Sequence, residues 1–180
     1  MITGWIITLV VLGLIIIGIG VLLFLIYDSL LKARKRVNNG WNQIKLYVAR
    51  RFDLLPSLIE TLQGEITDEE GLLSEFARVR GIYANSNTPG EIAKADFLLT
   101  NVLDRLVIVQ EGYPSIKKNG GFQRLLFDLE DDQVKIVYSQ SYYNDAVDKY
   151  NLKLVKFPSK IVAGWMKLEA KERFEYDYNK

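Results

Sequence analysis

The side chains that could do chemistry in this chain are few, and their types narrow the choice quickly. No His and no Cys occur among its 180 residues. That removes thiol nucleophiles, disulfides, haem or zinc held by His or Cys, and every Ser-His-Asp arrangement. The densest acidic group is Asp128, Glu130, Asp131 and Asp132. Carboxylates alone could hold Ca²⁺ or Mg²⁺. Acids early in a helix also suit its dipole, and Asp128 and Asp132, one turn apart, read as a solvated face. No phosphate-cradling glycine loop, dinucleotide fingerprint or kinase signature occurs. The expectation is a non-enzymatic protein with no catalytic residues, no cofactor and no metal.

Two polar features remain. Tyr143-Asn144 recurs seven residues later as Tyr150-Asn151, a step that returns to the same face of a helix. Arg51 interrupts an apolar stripe and stands beside Arg50 and Asp53. Buried polar groups need partners. Arg51, Asp53, Tyr143, Asn144, Tyr150 and Asn151 therefore read as a polar network joining two helices or, alternatively, as a self-association surface.

The elements that must position these groups are all helical. Residues 1–27 carry no charged side chain, and Ile6 to Ile26 is apolar. At 1.5 Å per residue that run is about 31 Å long, enough for a hydrocarbon core of about 30 Å. It is too long for a signal peptide and lacks a basic start and a small-residue cleavage site. Trp5 and Tyr27 bracket it as interfacial aromatics, and Lys32, Arg34, Lys35 and Arg36 crowd its far end. Basic flanks stay in the cytoplasm, so a single-pass cell-membrane anchor is expected with the N-terminus outside and the remaining domain inside.

Beyond the span, apolar residues recur at three and four. Val37, Trp41, Ile44, Val48, Leu55, Leu58 and Leu62 mark a first helix, bent at Pro56 and stopped near Gly64. Thr67 to Glu70 fits a capping box opening a second helix with Leu72, Phe76, Val79 and Tyr83 on its face. Thr88-Pro89-Gly90-Glu91 opens a third, with a stripe from Ile92 through Leu99 and Leu106 to Val109. The fourth runs from Phe122 to Phe157 along a heptad seam that includes Leu125, Leu129, Ile136, Tyr143, Val147, Tyr150 and Leu154, and ends at Pro158. The expected fold is all-α: an N-terminal transmembrane helix (residues 1–27), an elongated antiparallel four-helix bundle (28–158) and an aromatic tail (159–180). An even number of passes returns the tail toward the bilayer. Trp165, Met166 and Phe174 are then candidates for a membrane-proximal segment; covering the open end of the bundle is the other reading.

The stretch Arg36-Val37-Asn38-Asn39-Gly40-Trp41-Asn42-Gln43-Ile44, then Arg50-Arg51-Phe52-Asp53-Leu54-Leu55-Pro56-Ser57-Leu58-Ile59-Glu60-Thr61, resembles the LemA family. So do Glu111-Gly112-Tyr113-Pro114 and the run from Tyr143-Asn144-Asp145-Ala146-Val147 through Tyr150-Asn151 to Phe157-Pro158. The resemblance implies an N-terminal anchor, a helical-bundle domain in the bacterial envelope and no established enzymatic activity. One branch of the family belongs to the magnetosome apparatus, and members often occur beside a membrane zinc metalloprotease.

With 23 Lys and Arg against 22 Asp and Glu, the net charge of +1 does not suit nucleic-acid binding. The expected partners are membrane lipid, further copies of the chain as a homo-oligomer, and a membrane protein. The expected function is a self-associating membrane scaffold; the alternative is an adaptor that tethers a partner such as an envelope protease.

Overall fold

The computed structural model describes residues 2–63 and 70–176. It is all-helical: 88% helix, with no strand among the described residues. The helices are α1 (Ile2–Gln63), α2 (Glu70–Ala84), α3 (Pro89–Val109), α4 (Pro114–Lys118), α5 (Gly120–Val155) and α6 (Ser159–Trp165), with a 3₁₀ turn at Gln110–Gly112. The expected stop at Gly64 and the Thr67 capping box lie outside the described residues.

α1 changes character along its length. From Leu9 to Leu25 its apolar side chains are almost all exposed. It is the one helix among the described residues long and apolar enough to cross a membrane. From Ile26 burial becomes one-sided: Ile26, Leu30, Ala33, Val37, Gly40, Ile44, Val48, Arg51, Leu55, Leu58 and Leu62 are buried at steps of three and four. That is a heptad stripe facing other protein. The helix runs on through Pro56, whose side chain lies on the exposed face.

α3 starts where the sequence marks it. The Thr88 hydroxyl accepts from the Glu91 amide while the Glu91 carboxylate accepts from the Thr88 amide, a reciprocal cap. α5 has 36 residues, and Phe122, Leu129, Ile136, Tyr143, Val147 and Tyr150 of its seam are buried. Phe157 is not part of that seam: it is 82% exposed. The helix ends at Val155, so the heptad phase is lost two residues earlier. Asp132, read above as solvated, is fully buried. It falls at the seam step between Leu129 and Ile136.

The chain divides into two compact units. The first is Met1–Asn38 with Ala146–Lys171; the second is Asn39–Asp145 with Glu172–Lys180. In the first, Ile26 and Leu30 of α1 pack with Val162 and Ala163 of α6, and Leu23, Leu154, Met166 and Leu168 close around them. In the second, the core draws on α1, α2, α3 and α5. Phe52 stacks on Tyr83 with ring centroids 4.0 Å apart, and Trp41 meets Tyr143 at 5.6 Å.

Gly40 marks a close approach between α1 and α5. A Cβ there would stand 3.2 Å from the Cα and Cβ of Tyr143 and 3.1 Å from the Tyr142 ring. A mid-helix glycine costs about 1 kcal/mol against alanine, which the close packing offsets. Gly40→Leu should therefore destabilise the chain by about 1–3 kcal/mol through overpacking. Gly81→Leu, where a Cβ meets nothing within 4 Å, should stay within about 0.5 kcal/mol of wild type or exceed it. Urea denaturation followed by circular dichroism in detergent compares the two.

Candidate functional site

Arg51 lies at the missing apolar step of α1, and the packing of the second unit leaves it 1% exposed. A buried guanidinium must spend its donors on protein groups. Its Nη1 is ion-paired with Asp96 of α3 and donates to Gln133 of α5; the Thr100 hydroxyl lies 3.3 Å from both Nη1 and Nη2. Thr100 in turn donates to the Asp96 carbonyl. Three helices thus meet at one charge pair. Burial raises the Asp96 carboxyl above its usual range, against the pull of Arg51.

A second ionic contact stands beside it in sequence. Asp132 is 0% exposed, and its two oxygens accept no hydrogen bond. The Arg50 Nε at 3.3 Å is its charge partner. Burial raises the Asp132 carboxyl first; Asp131 and Asp128 push the same way, while Arg50 and Lys135 pull it down. Asp53 is exposed and acts on another group, adding to the burial that raises the Tyr83 hydroxyl. Among the described residues no group of three or more carboxylates is arranged to hold a metal.

The two Tyr-Asn pairs do not reach Arg51 or Asp53. Each holds the backbone of the C-terminal segment. In the second unit the Tyr143 hydroxyl donates to the Glu172 carbonyl at 2.7 Å. The Asn144 amide donates to the Phe174 carbonyl at 3.2 Å and accepts from the Phe174 amide at 2.8 Å. In the first unit Tyr150 donates to the Glu169 carbonyl at 3.2 Å, and Asn151 exchanges two 2.8 Å bonds with Lys171. The same reading is repeated three residues apart on the segment. A seven-residue helical step covers about 10.5 Å and three extended residues about 10 Å, so the two repeats match. Burial, with Glu172 adding to it, pushes the Tyr143 hydroxyl up to about 12, so it remains a donor at neutral pH.

The three tail aromatics separate. Phe174 is buried in the second unit, 6.2 Å from the Trp41 ring. Trp165 is exposed and Met166 half-buried in the first. Of the flanking residues, Trp5 and Tyr27 are exposed on α1. Lys32, Arg34, Lys35 and Arg36 are exposed as well, with Lys32 paired to Asp28 at 2.6 Å. Asp96, Thr100, Gln133 and Asp132 were not singled out as a centre by sequence reasoning. The signal available was a polar residue at a seam step, the same signal that exposed Arg51.

This arrangement can fix helices in register and tie down the segment that follows α6. Comparison with known proteins gives one family: the model of the LemA family matches residues 40–180, most of the chain. No curated protein matches.

Two outcomes are expected. Arg51→Met should cost about 3–5 kcal/mol by leaving Asp96 buried without its partner, and Arg51→Met with Asp96→Leu should recover most of that loss. Asp132 gives a pH test. Its folded pKa lies above the unfolded value, so the folded state holds the extra proton between the two. Stability from this group rises as pH falls through that window and is lost as pH rises past the folded value. Wild type should gain stability relative to Asp132→Asn as pH falls from 7 toward 4, measured by urea denaturation.

Proposed function

Given that the chain belongs to the LemA family, we propose that it is a non-enzymatic, membrane-anchored scaffold that associates with copies of itself and organises the membrane holding it. In this reading α1 crosses the membrane once, with its N-terminus outside. The basic flank from Lys32 to Arg36 keeps the chain beyond the span on the cytoplasmic side. The part of α1 beyond Asn38, with α2, α3 and α5, forms the antiparallel four-helix bundle. Arg51 and its partners hold that bundle in one register, as buried polar groups do in other helical assemblies.

The observation that supports self-association is on the outer face of α5. Phe127, Val134, Val137, Tyr138 and Tyr142 are all exposed. Their spacing places Phe127, Val134, Val137 and Tyr138 along one side of the helix, away from the buried seam, with Tyr142 at its edge beside Gly40 of α1. Scattered exposed apolar residues are ordinary; several sharing one helical face suit an interaction surface. Its helical periodicity suits a second helix of the same kind.

An adaptor is the second reading, and the charge of the second unit favours it. That unit has 13 Lys and Arg against 19 Asp and Glu, a net negative charge that suits a basic membrane partner. Arg51, Asp96 and Asp132 are buried and take no part in such a contact.

The test is the mass of the full chain in lipid nanodiscs or native membrane particles, with Val134→Lys plus Tyr138→Lys as the variant. The scaffold reading expects a multi-copy particle in wild type. It expects at least a twofold loss of mass in the variant, with an unchanged circular dichroism spectrum. A monomeric wild type, or a variant particle of undiminished mass, contradicts it. A monomer that co-purifies a partner and releases it on Glu130→Lys and Asp131→Lys supports the adaptor.

A further inference from the structure

The net charge of +1 conceals a segregation that appears once the two units are known. The first unit, Met1–Asn38 with Ala146–Lys171, holds ten Lys and Arg against three Asp and Glu. This is also the unit that carries the exposed apolar stretch of α1.

Within it, α6 has two apolar faces. One is the core face: Val162 and Ala163 are buried against Ile26 and Leu30, with Leu23 also packed there. That fixes α6 beside the end of the apolar stretch, at the level where α1 turns from exposed to one-sided burial. The opposite face carries Ile161, 47% exposed, and Trp165, 69% exposed. They are four residues apart and so share one side of the helix. Lys160 is exposed beside them. A helix apolar on both faces does not suit a water-exposed surface. Tryptophan with flanking lysine is a common composition at the boundary of headgroups and acyl chains.

A cavity of about 230 Å³ lies in the same unit, where Arg34 of α1 meets the segment after α6. Arg34, Lys167 and Lys171 line it from two parts of the chain, with Glu169 as the one acidic side chain. Arg34 also pulls down the Tyr150 hydroxyl, which burial raises. Lys167 has a left-handed backbone, φ 48°, and closes the end of α6, its amide donating to the Gly164 carbonyl and the Leu168 amide to the Ala163 carbonyl. Three cations from two parts of the chain around one opening suit an anionic headgroup. Lys/Arg clusters at the cytoplasmic end of a span have this affinity for acidic lipid.

We propose that α6 and this basic cavity form a second, peripheral membrane contact, in which Ile161 and Trp165 enter the headgroup boundary and Arg34, Lys167 and Lys171 engage anionic lipid. The proposal rests on the reading of α1 as a membrane anchor and adds a lipid-selective contact beside it. The occupant is lipid, because α6 packs on the end of the exposed apolar stretch of α1 and belongs to the basic unit of the chain.

The chain has no cysteine, so single labels can be introduced without competing thiols. Gly164 is on the exposed face of α6, and a Cβ there meets nothing within 4 Å. Gly164→Cys therefore leaves Ile161 and Trp165 in place. Leu14→Cys reports the anchor separately. Each full-length variant carries a polarity-sensitive fluorophore, in bilayers of phosphatidylcholine with or without 30% phosphatidylglycerol. Brominated acyl chains serve as the quencher, and unbrominated lipid gives the baseline. The proposal expects quenching at both positions. At Gly164 it should be at least twofold stronger with the acidic lipid, and that increment should vanish in Arg34→Gln, Lys167→Gln, Lys171→Gln. Quenching at Leu14 without quenching at Gly164 overturns the proposal and leaves the anchor standing. A Gly164 label shielded from aqueous iodide but untouched by bromolipid marks a protein occupant and overturns it too. Quenching at Gly164 that ignores acidic lipid overturns the role of the cavity. Failure at Leu14 overturns the anchor reading on which the proposal rests.

Discussion

α1 must satisfy two environments within one run of 62 residues, and the rest of the structure depends on where it changes from one to the other. From Leu9 to Leu25 its apolar side chains have almost no protein around them; from Ile26 the same helix buries one side chain per three or four residues. An unbroken helix satisfies its backbone hydrogen bonds in either setting, so the change is carried by side chains alone. Below the change, residues must be apolar all round. Above it, they must be apolar on one stripe and polar elsewhere. Trp5, Tyr27 and the basic residues from Lys32 to Arg36 belong to the two ends of the first regime.

The second regime needs more than apolar contact. A stripe of Leu, Val and Ile at heptad spacing tolerates a slip by one step, since the side chains on either side are alike. Arg51 removes that freedom. Its guanidinium is buried with Asp96, Thr100 and Gln133 around it; a shift of α1 or α3 would leave a buried charge unpaired, and a shift of α5 would remove the Gln133 acceptor. Asp132 and Arg50 add a second ionic contact of the same kind, less fully satisfied. The cost of burying these groups argues for a role in specifying register, since apolar residues of the same volume would often be as stable. Gly40 complements them by letting α1 and α5 approach closely where the rings of Trp41 and Tyr143 meet.

Much of this was legible in the sequence because helical periodicity is a local property. The stripes of α1 and α3, the reciprocal cap at Thr88 and the length of α5 all follow from residues within a few turns of one another. Arg51 stood out as the polar residue in an apolar stripe. Its partner Asp96 did not, because pairing across helices depends on which faces meet, and nothing at Asp96 itself names Arg51. Asp132 was misread for a related reason: in an acidic run it resembles its solvated neighbours, and only its phase between Leu129 and Ile136 places it inside. The Tyr-Asn repeat was visible as a repeat, but its ligand is a backbone, and backbone carbonyls leave no trace in side-chain patterns. Phe157 failed as a seam residue because the helix ended before it. The charge segregation required knowing that residues 146–171 pack with the first 38, a long-range fact that composition averages away.

The account is tested most directly by reactivity along α1. Single cysteines placed from Leu9 to Leu62 in the full chain, reconstituted in bilayers, would be titrated with a membrane-impermeant thiol reagent. The account predicts continuous protection through Leu25. Beyond it, protection should fall only on the stripe from Ile26 through Leu30, Val37, Ile44 and Val48, with positions such as Lys35 and Asn42 reacting freely. Protection that is periodic from Leu9 onward would mean that the apolar stretch packs on protein, and would contradict the division of this helix between two environments.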